Sequence, residues 1–584
     1  MSVILGINAF HADSSACLVI DGKLVAAIAE ERLGDRLKHD PRYPFRAIEK
    51  VLEIGDVRLK EITHICIARN VQANKRDKMR YLLTHPRTSL PLVGHFLDRK
   101  KQTEDMWATI AEYFGEDIRQ MKWQIVEVEH HLAHIASAYY LSPFESLTAG
   151  LSYDGSGDFA SMMAARCEGT DINILDRVTL PHSLGFFYSA ICQFIGFDHF
   201  GEEYKVMGLA PYGHDNYRKE MEQLISLKGK AWFGFNSAYL KMPEGYNAAE
   251  LDERGHITMP VMFSDKMKQL LGTPRNRKNP LTQREMDIAR SCQVRFEEAA
   301  LHCMNRLHAL VPSQQFAMAG GSALNGVANA RILRDTPFTT PYLQAAASDE
   351  GTCLGAAYWC YHNVVKGKER FHMHHAFWGG EYTEGRIKQA IDNLHLQAEY
   401  ITEENILLDS VVNLICRGNV VGWFQGRSEW GPRALGNRSI LADPTNPCMK
   451  DIINTKIKRR ESFRPFAPSV LAEKVKDYFE QDVFSPFMMH VVKFKKEWRE
   501  RLPAVVHVDG TGRLQSVAYE ENPRYYNLIK RFGEKSGVFI LLNTSFNENE
   551  PVVETPEEAL DCFLRTDMDA ICLGNYIVAK KQNF

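Results

Sequence analysis

Leu147-Thr148-Ala149-Gly150-Leu151-Ser152-Tyr153 runs apolar into Asp154-Gly155-Ser156-Gly157-Asp158, and Phe159–Ala165 runs apolar back out. This reads as strand, tight turn, strand. The N-terminus repeats the pattern. Val3–Asn8 is apolar, His11-Ala12-Asp13-Ser14-Ser15 is polar, and Ala16–Ile20 is apolar again before Asp21-Gly22 turns the chain into Lys23–Glu30. Two such units, about one small domain apart, predict an internal duplication. Each polar turn stands where backbone N–H groups could hold phosphate oxygens, although Gly/Asp/Ser turns serve any hairpin.

Outward from these units the pattern stays α/β. Ala47, Ile48, Val51 and Leu52 mark a helix between Pro44 and Gly55, followed by a strand over Ile62–Ala68 and a mostly helical stretch over 70–125. Thr282 and Glu285 form a capping-box pattern that opens a long helix. Its buried face is Met286, Ala289, Cys292, Phe296, Ala299, Cys303 and Leu307. Phe316–Met318 is a short strand into Ala319-Gly320-Gly321-Ser322. The Gly- and His-rich stretch 366–382 reads as a linker, with His372, His374 and His375 taken as solvated. Domains are therefore expected over 1–365 and 383–584, the second beginning with a helix at about Glu384 to Asn393.

The chain has 584 residues, 45% of them hydrophobic and 24% charged, which suits a folded multidomain protein. Its net charge of −3, from 70 basic and 73 acidic residues, disfavours a generally cationic nucleic-acid binder. The 12 cysteines are scattered with no CxxC pair, against zinc ribbons and a disulfide framework. Reduced thiols fit a cytoplasmic protein better. Met1–Phe10 reads as a first strand in place of a signal peptide, and no run approaches the roughly 18 apolar residues of a membrane span.

Three groups of residues carry chemistry. His130 and His134, four apart in an Ala-rich helical segment, share a face at a spacing that grips one metal ion. By itself such a pair is more often two core or surface histidines. Asp154 and Asp349 are turn carboxylates that could complete the site, and two imidazoles with two carboxylates suit iron(II), manganese or zinc. The second group is the basic run Lys456, Lys458, Arg459, Arg460 and Arg464, interleaved with Phe463, Pro465, Phe466 and Pro468. It reads either as a solvated face or as fixed cations for phosphate oxygens. The third is His11, beside Asp13 in the first turn, which is a candidate base because imidazole titrates near neutrality.

An ordered set of motifs then points to a family. It comprises Gly6-Ile7-Asn8 and His11, the His130/His134 segment, Asp154-Gly155, Gly201–Gly213, Gly320–Asn325 and Ser348–Gly351. Trp430–Gly436, Arg460–Pro468 and Leu542–Asn547 follow. In that order, over nearly the whole chain, they resemble the O-carbamoyltransferases of natural-product biosynthesis, the NodU/CmcH family. The resemblance implies a duplicated N-terminal domain of the actin-like ATPase superfamily and a YrdC-like α/β C-terminal domain. The C-terminal domain would form carbamoyl-adenylate from carbamoyl phosphate and ATP, with Mg accompanying the ATP. The N-terminal domain would pass the carbamoyl group to a hydroxyl of a small molecule.

By the same resemblance, Fe(II) or another divalent transition metal is held by His130, His134, Asp154 and Asp349. Gly320, Gly321 and Asn325 approach the adenylate. Arg433, Lys458 and Arg464 bind carbamoyl phosphate, and Arg513 and Ser545 bind the nucleotide. His11 is the base for the acceptor hydroxyl, with Lys205 assigned to neutralising the leaving phosphate. No nucleic-acid or membrane partner is expected. The acceptor and the oligomeric state, a homodimer among the options, are not written in the sequence.

Rival readings were a hydrogenase-maturation carbamoyltransferase, disfavoured by the lack of CxxC pairs, and a tRNA-modifying enzyme, disfavoured by the near-neutral charge. A sugar kinase of the actin-like fold would leave the cations of the second domain without a purpose. A catalytically dead nucleotide-binding partner would have no need of the proposed ligands.

Overall fold

The computed structural model describes residues 1–84, 105–229, 231–241, 250–251, 257–461 and 463–580. They form two units, Met1–Met373 and His374–Phe584.

The first unit holds two five-stranded sheets of one design. In the first, β1 (Val3–Asn8), β2 (Ser15–Ile20) and β3 (Lys23–Ala29) form an antiparallel meander. Strands β4 (His64–Ile67) and β5 (Gln124–Glu127) add in parallel on the other side of β1, giving the order β3-β2-β1-β4-β5. The second sheet repeats this with β6 (Thr148–Gly157), β7 (Ala160–Glu168), β8 (Asp171–Thr179), β9 (Gln315–Ala319) and β10 (Thr340–Leu343). Its order is β8-β7-β6-β9-β10, with the same strand directions. The duplication expected from the two strand–turn–strand units is thus a duplication of topology.

Strand β1 is buried along its whole length, as its unbroken apolar run requires for a sheet covered on both faces. Helix α1 (Phe45–Gly55) seats Ala47, Ile48, Val51 and Leu52 on that core with Val3, Leu5, Ile7, Leu18 and Ile65. Helix α2 (His130–Tyr139) begins just after β5. Helix α3 (Gln283–Leu310) opens with the expected capping box and buries Ala289, Cys292, Phe296, Ala299, Cys303 and Leu307, whereas Met286 is half-buried. Helix α4 (Thr352–Asn363) packs on both α2 and β1. A Cβ at Gly355 would meet the Ala133 carbonyl oxygen at 1.7 Å, so only glycine lets α4 lie this close to α2. That approach brings the residues just before α4 to the start of α2.

Two local expectations change. The turn read at Asp154–Asp158 is shorter: β6 continues to Gly157 through a bulge after Tyr153, and the chain reverses at Asp158 and Phe159, both left-handed. Asp154 is therefore a strand residue at a bulge. Within the stretch read as helical, Lys75–Thr84 and 105–113 are helix, Gln124–Glu127 is an edge strand, and residues 85–104 lie outside the described residues.

The second unit is built on a nine-stranded mixed sheet. In chain order its strands are β11 (Glu399–Tyr400), β12 (Val421–Phe424), β13 (Arg438–Ala442), β14 (Ala467–Leu471), β15 (His490–Lys493), β16 (Thr511–Val517), β17 (Ile540–Ser545), β18 (Ala570–Leu573) and β19 (Tyr576–Ala579). They lie in the order β11-β19-β18-β12-β13-β17-β14-β16-β15. Helix α5 (Glu384–Asn393) falls where the sequence places it. Helices α6 (Glu404–Cys416) and α7 (Pro523–Ser536) pack together and close the core with Leu407, Val411, Ile415, Leu528, Ile529 and Phe532 over Trp423, Leu441 and Leu541. Helix α8 (Pro556–Arg565) packs on α5. Of the linker histidines, His374 is exposed as expected, but His375 stacks on Trp378 at 4.7 Å.

Candidate functional site

The four proposed metal ligands come together. His130 and His134 project from one face of α2, both fully buried, with their Nε2 atoms 3.0 Å apart. The β6 bulge sets Asp154 Oδ2 3.1 Å from His134 Nε2 and 4.0 Å from His130 Nε2, while the Gly155 N–H donates to its Oδ1. Asp349, at the turn before α4, places Oδ1 3.4 Å from both imidazoles. All four donor atoms lie within 4.8 Å of one another.

This cluster demands positive charge at its centre. Burial opposes a charge on His130, yet the Asp349 and Asp154 carboxylates outweigh it and push its imidazole up to about 10. Burial likewise opposes ionisation of Asp154, but the two imidazoles hold its carboxyl well below the usual range. A divalent ion satisfies the same demand, and two nitrogens with two carboxylate oxygens fit a first-row transition metal. His131, neighbour to both, is driven well below its usual range by burial and by His130 and His134, and shares a hydrogen bond with Ser152 Oγ at 2.9 Å.

The support for these ligands is unusual. A metal-bound histidine is commonly oriented through its second ring nitrogen. Here the Nδ1 atoms of His130 and His134 have no hydrogen-bond partner among the described residues. The grip falls on the main chain: Asp158 Oδ2 accepts from the N–H groups of His130 (2.9 Å) and Asn70 (2.8 Å). Glu129, just before, is held by Arg177 through two bonds and by Asn74. Asp158→Ala is therefore expected to weaken metal binding about 10- to 100-fold, measured by competition with a chromogenic chelator. Unaltered affinity in a folded variant would remove Asp158 from the site.

His11 adjoins the cluster. It is buried, with Nδ1 3.7 Å from Asp349 Oδ2 and its ring 4.9 Å from that of His130. Its turn is tied by Asn8 Nδ2, which donates to the carbonyls of Ala12 and Asp13. The Gly320-Gly321 turn adjoins it too: a Cβ at Gly321 would meet Asp154 Oδ1 at 2.9 Å and Ser348 Oγ at 3.4 Å. Asn325 is committed inside the chain, capping Ala328 N–H and exchanging amide hydrogen bonds with Gln293. Lys205 is buried in a compensated network, donating to Glu202 at 2.7 Å while Arg277 grips the same carboxylate.

In the second unit the cations gather around Arg513. Its guanidinium lies well below its ordinary range because it is buried and because Arg433, Arg464 and Arg460 crowd it with like charge. Such a gathering is stabilised by an anion carrying several oxygens. Arg460 lies 4.7 Å over the Phe466 ring and donates to Asn454 Oδ1. Arg464 has a long contact of 3.7 Å with Glu461. Lys458 faces inward. The turn Asn454–Lys458 is a π-helical turn ending in left-handed Arg459, which buries Lys458 so that Nζ meets both backbone and side-chain oxygens of Ser545 and Asn547.

The sequence reading missed Asp158 as a support, Arg460 as a member of the arginine group, and a second acidic cluster of Asp13, Glu31 and His39. There, burial disfavours the imidazolium but Asp13, at 2.7 Å, raises His39 to about 9. Arg460 stands in the basic run of the sequence without a role assigned to it; the other two depend on tertiary approach.

With this geometry in place, two family models account for most of the chain: Carbamoyltransferase N-terminus over residues 3–358 and Carbamoyltransferase C-terminus over 412–580. The protein is thus a transferase enzyme, and it belongs to the carbamoyltransferase family. Nodulation protein NolNO of Sinorhizobium fredii is 36% identical over 98% of this chain and 80% of its own. A Synechocystis protein, sll1178, is 38% identical over 99% of this chain and 97% of its own. The 3'-hydroxymethylcephem-O-carbamoyltransferase of Streptomyces clavuligerus is 31% identical over 40% of this chain and 42% of its own. Among solved structures, full-length HypF in its phosphate- and nucleotide-bound form aligns at 13% identity and a TM-score of 0.31, covering 62% of this chain and 55% of that one. No helix among the described residues is long and apolar enough to cross a membrane.

Proposed function

We infer that the enzyme is an ATP-dependent O-carbamoyltransferase working in two stages, with a small hydroxylated natural product as acceptor. The observation that carries this reading is the division of chemistry between the units: a buried two-histidine, two-carboxylate cluster in one, and crowded arginines around Arg513 in the other. The repeated strand order of the first unit supports its actin-like assignment; the YrdC-like assignment of the second rests on the resemblance.

In the second unit Arg433, Arg464 and Arg513 bind the phosphate oxygens of carbamoyl phosphate and ATP; water cleaves carbamoyl phosphate to carbamate and phosphate, and a carbamate oxygen then bonds to the α-phosphorus of ATP as pyrophosphate leaves, giving carbamoyl-adenylate. We assign Lys458 to holding the Ser545–Asn547 loop at the nucleotide, since its ammonium is spent on that loop. In the first unit the Gly320-Gly321 turn seats the adenylate against Asp154. His130, His134, Asp154 and Asp349 would hold a divalent metal, Fe(II) by resemblance, which when bound supplies Lewis-acid polarisation of the carbamoyl carbonyl. His11 takes the acceptor hydroxyl proton as that oxygen bonds to the carbamoyl carbon, and AMP leaves with its bonding electrons. Lys205, already neutralised by Glu202, acts on the leaving phosphate only if that pair opens.

The test is incubation with ATP, labelled carbamoyl phosphate and a panel of hydroxylated metabolites. Label should appear in an O-carbamoyl product together with AMP and pyrophosphate. Label transfer that proceeds equally without ATP would overturn the two-stage reading.

A further inference from the structure

We propose that His507 is a positioning residue of the arginine group, tying the backbone at Arg464 to the strand that carries Arg513. The proposal rests on the reading of those arginines as the phosphate site and deepens it.

The chain that supplies Arg464 has little regular structure of its own. Between the π-helical turn and β14, the described residues from Arg459 to Phe466 belong to no helix or strand. The Arg464 N–H donates to the Glu461 carbonyl at 3.3 Å, a long bond within a local turn. No sheet ladder therefore fixes where this guanidinium stands. Yet Arg464, with Arg433 and Arg460, crowds Arg513, and like charges push such a segment outward.

His507 supplies a tie against that push. Its ring is buried, and Nε2 lies 3.2 Å from the Phe463 carbonyl oxygen, in the peptide group that joins Phe463 to Arg464. A carbonyl accepts and cannot donate, so Nε2 carries the hydrogen. The other ring nitrogen faces Asp509, with Nδ1 3.7 Å from Oδ1. That oxygen is itself fixed, accepting from the Thr511 N–H at 3.1 Å and from the Thr511 hydroxyl at 2.7 Å. The main chain of His507 is keyed to the same residue, its N–H donating to the Thr511 carbonyl at 2.7 Å. Thr511 opens β16, and Arg513 follows two residues on. One imidazole thus reaches from the strand of Arg513 to the backbone of Arg464 and sets the spacing of two guanidiniums. An apolar ring would fill the same space without holding the carbonyl.

The experiment measures pyrophosphate release from ATP by the full-length protein, with carbamoyl phosphate varied. His507→Phe keeps a buried ring without the donor, and His507→Gln keeps an amide donor of similar reach. His507→Phe should lower kcat/KM for carbamoyl phosphate about tenfold, the worth of one buried hydrogen bond. His507→Gln should recover most of that loss. In the Arg464→Ala background His507→Phe should have no further effect, because it acts through Arg464, whereas a residue that serves the fold alone would add its full factor. Thermal unfolding verifies that each variant is folded. Should His507→Phe not fold, His507→Asn, whose amide is too short to reach Phe463, takes its place with the same expected loss. Wild-type kcat/KM in the variant lacking the donor would overturn the proposal. So would equal losses with and without the donor, or an undiminished effect in the Arg464→Ala background. If Arg464→Ala is itself without effect, the reading of the arginines as the phosphate site falls and the proposal with it; in the other failures that reading stands.

Discussion

His130→Ala is expected to lose its bound metal and acceptor carbamoylation together while still releasing pyrophosphate from ATP and carbamoyl phosphate. The substitution removes one of two imidazoles whose Nε2 atoms stand 3.0 Å apart. It leaves Asp154 and Asp349 facing His134 alone, so both the donor count and the charge balance fail. A lost first ligand costs more than the about 10- to 100-fold typical of a supporting residue. Residual transfer should therefore fall below about 1% of wild type. The arginine group belongs to the other compact unit, so adenylate formation has no reason to change. Metal content by emission spectrometry, pyrophosphate release and labelled product give the three readouts on one preparation. Loss of pyrophosphate release along with transfer would show that the half-reactions are not divided between the units as proposed.

What the sequence disclosed of this site, and what it hid, follows one physical line. Periodicity and turn residues disclosed the meanders β1–β3 and β6–β7, because side chains alternate and Asp-Gly steps turn locally. Spacing of four disclosed His130 with His134, because helical geometry fixes their shared face. The position of Asp154 was misread because the Gly-rich stretch after Tyr153 pairs as a bulge, while the reversal uses left-handed Asp158 and Phe159, conformations disfavoured for such side chains. Strand β5 was hidden because it is a short edge strand of four residues, three of them exposed, with no buried alternation to mark it. The direction of the basic run was hidden as well, since a π-helical turn rotates Lys458 inward by an amount no charge pattern encodes. Glu31 and His39 are distant from Asp13 in the chain and meet it only through the fold.

Removal of a guanidinium from the second unit should have the converse effect. Arg464→Ala and Arg513→Ala are each expected to reduce pyrophosphate release more than about 100-fold while leaving the metal content at the wild-type level. Arg513 is held against Arg433, Arg460 and Arg464 at a cost in like-charge repulsion, a cost that bound phosphate oxygens offset. Each bidentate guanidinium–phosphate contact contributes two charge-assisted bonds of about 1.5–3 kcal/mol, and a loss of about 3 kcal/mol corresponds to more than a hundredfold in rate. The free protein should respond in the opposite sense, since removing one of several crowded cations relieves repulsion; the thermal midpoint without ligand should hold or rise. Arg464→Lys separates charge from shape, because an ammonium restores the point charge but not the planar fork, and should recover only part of the rate. Unchanged pyrophosphate release in both alanine variants would mean that the arginine group serves the fold and that the phosphates bind elsewhere.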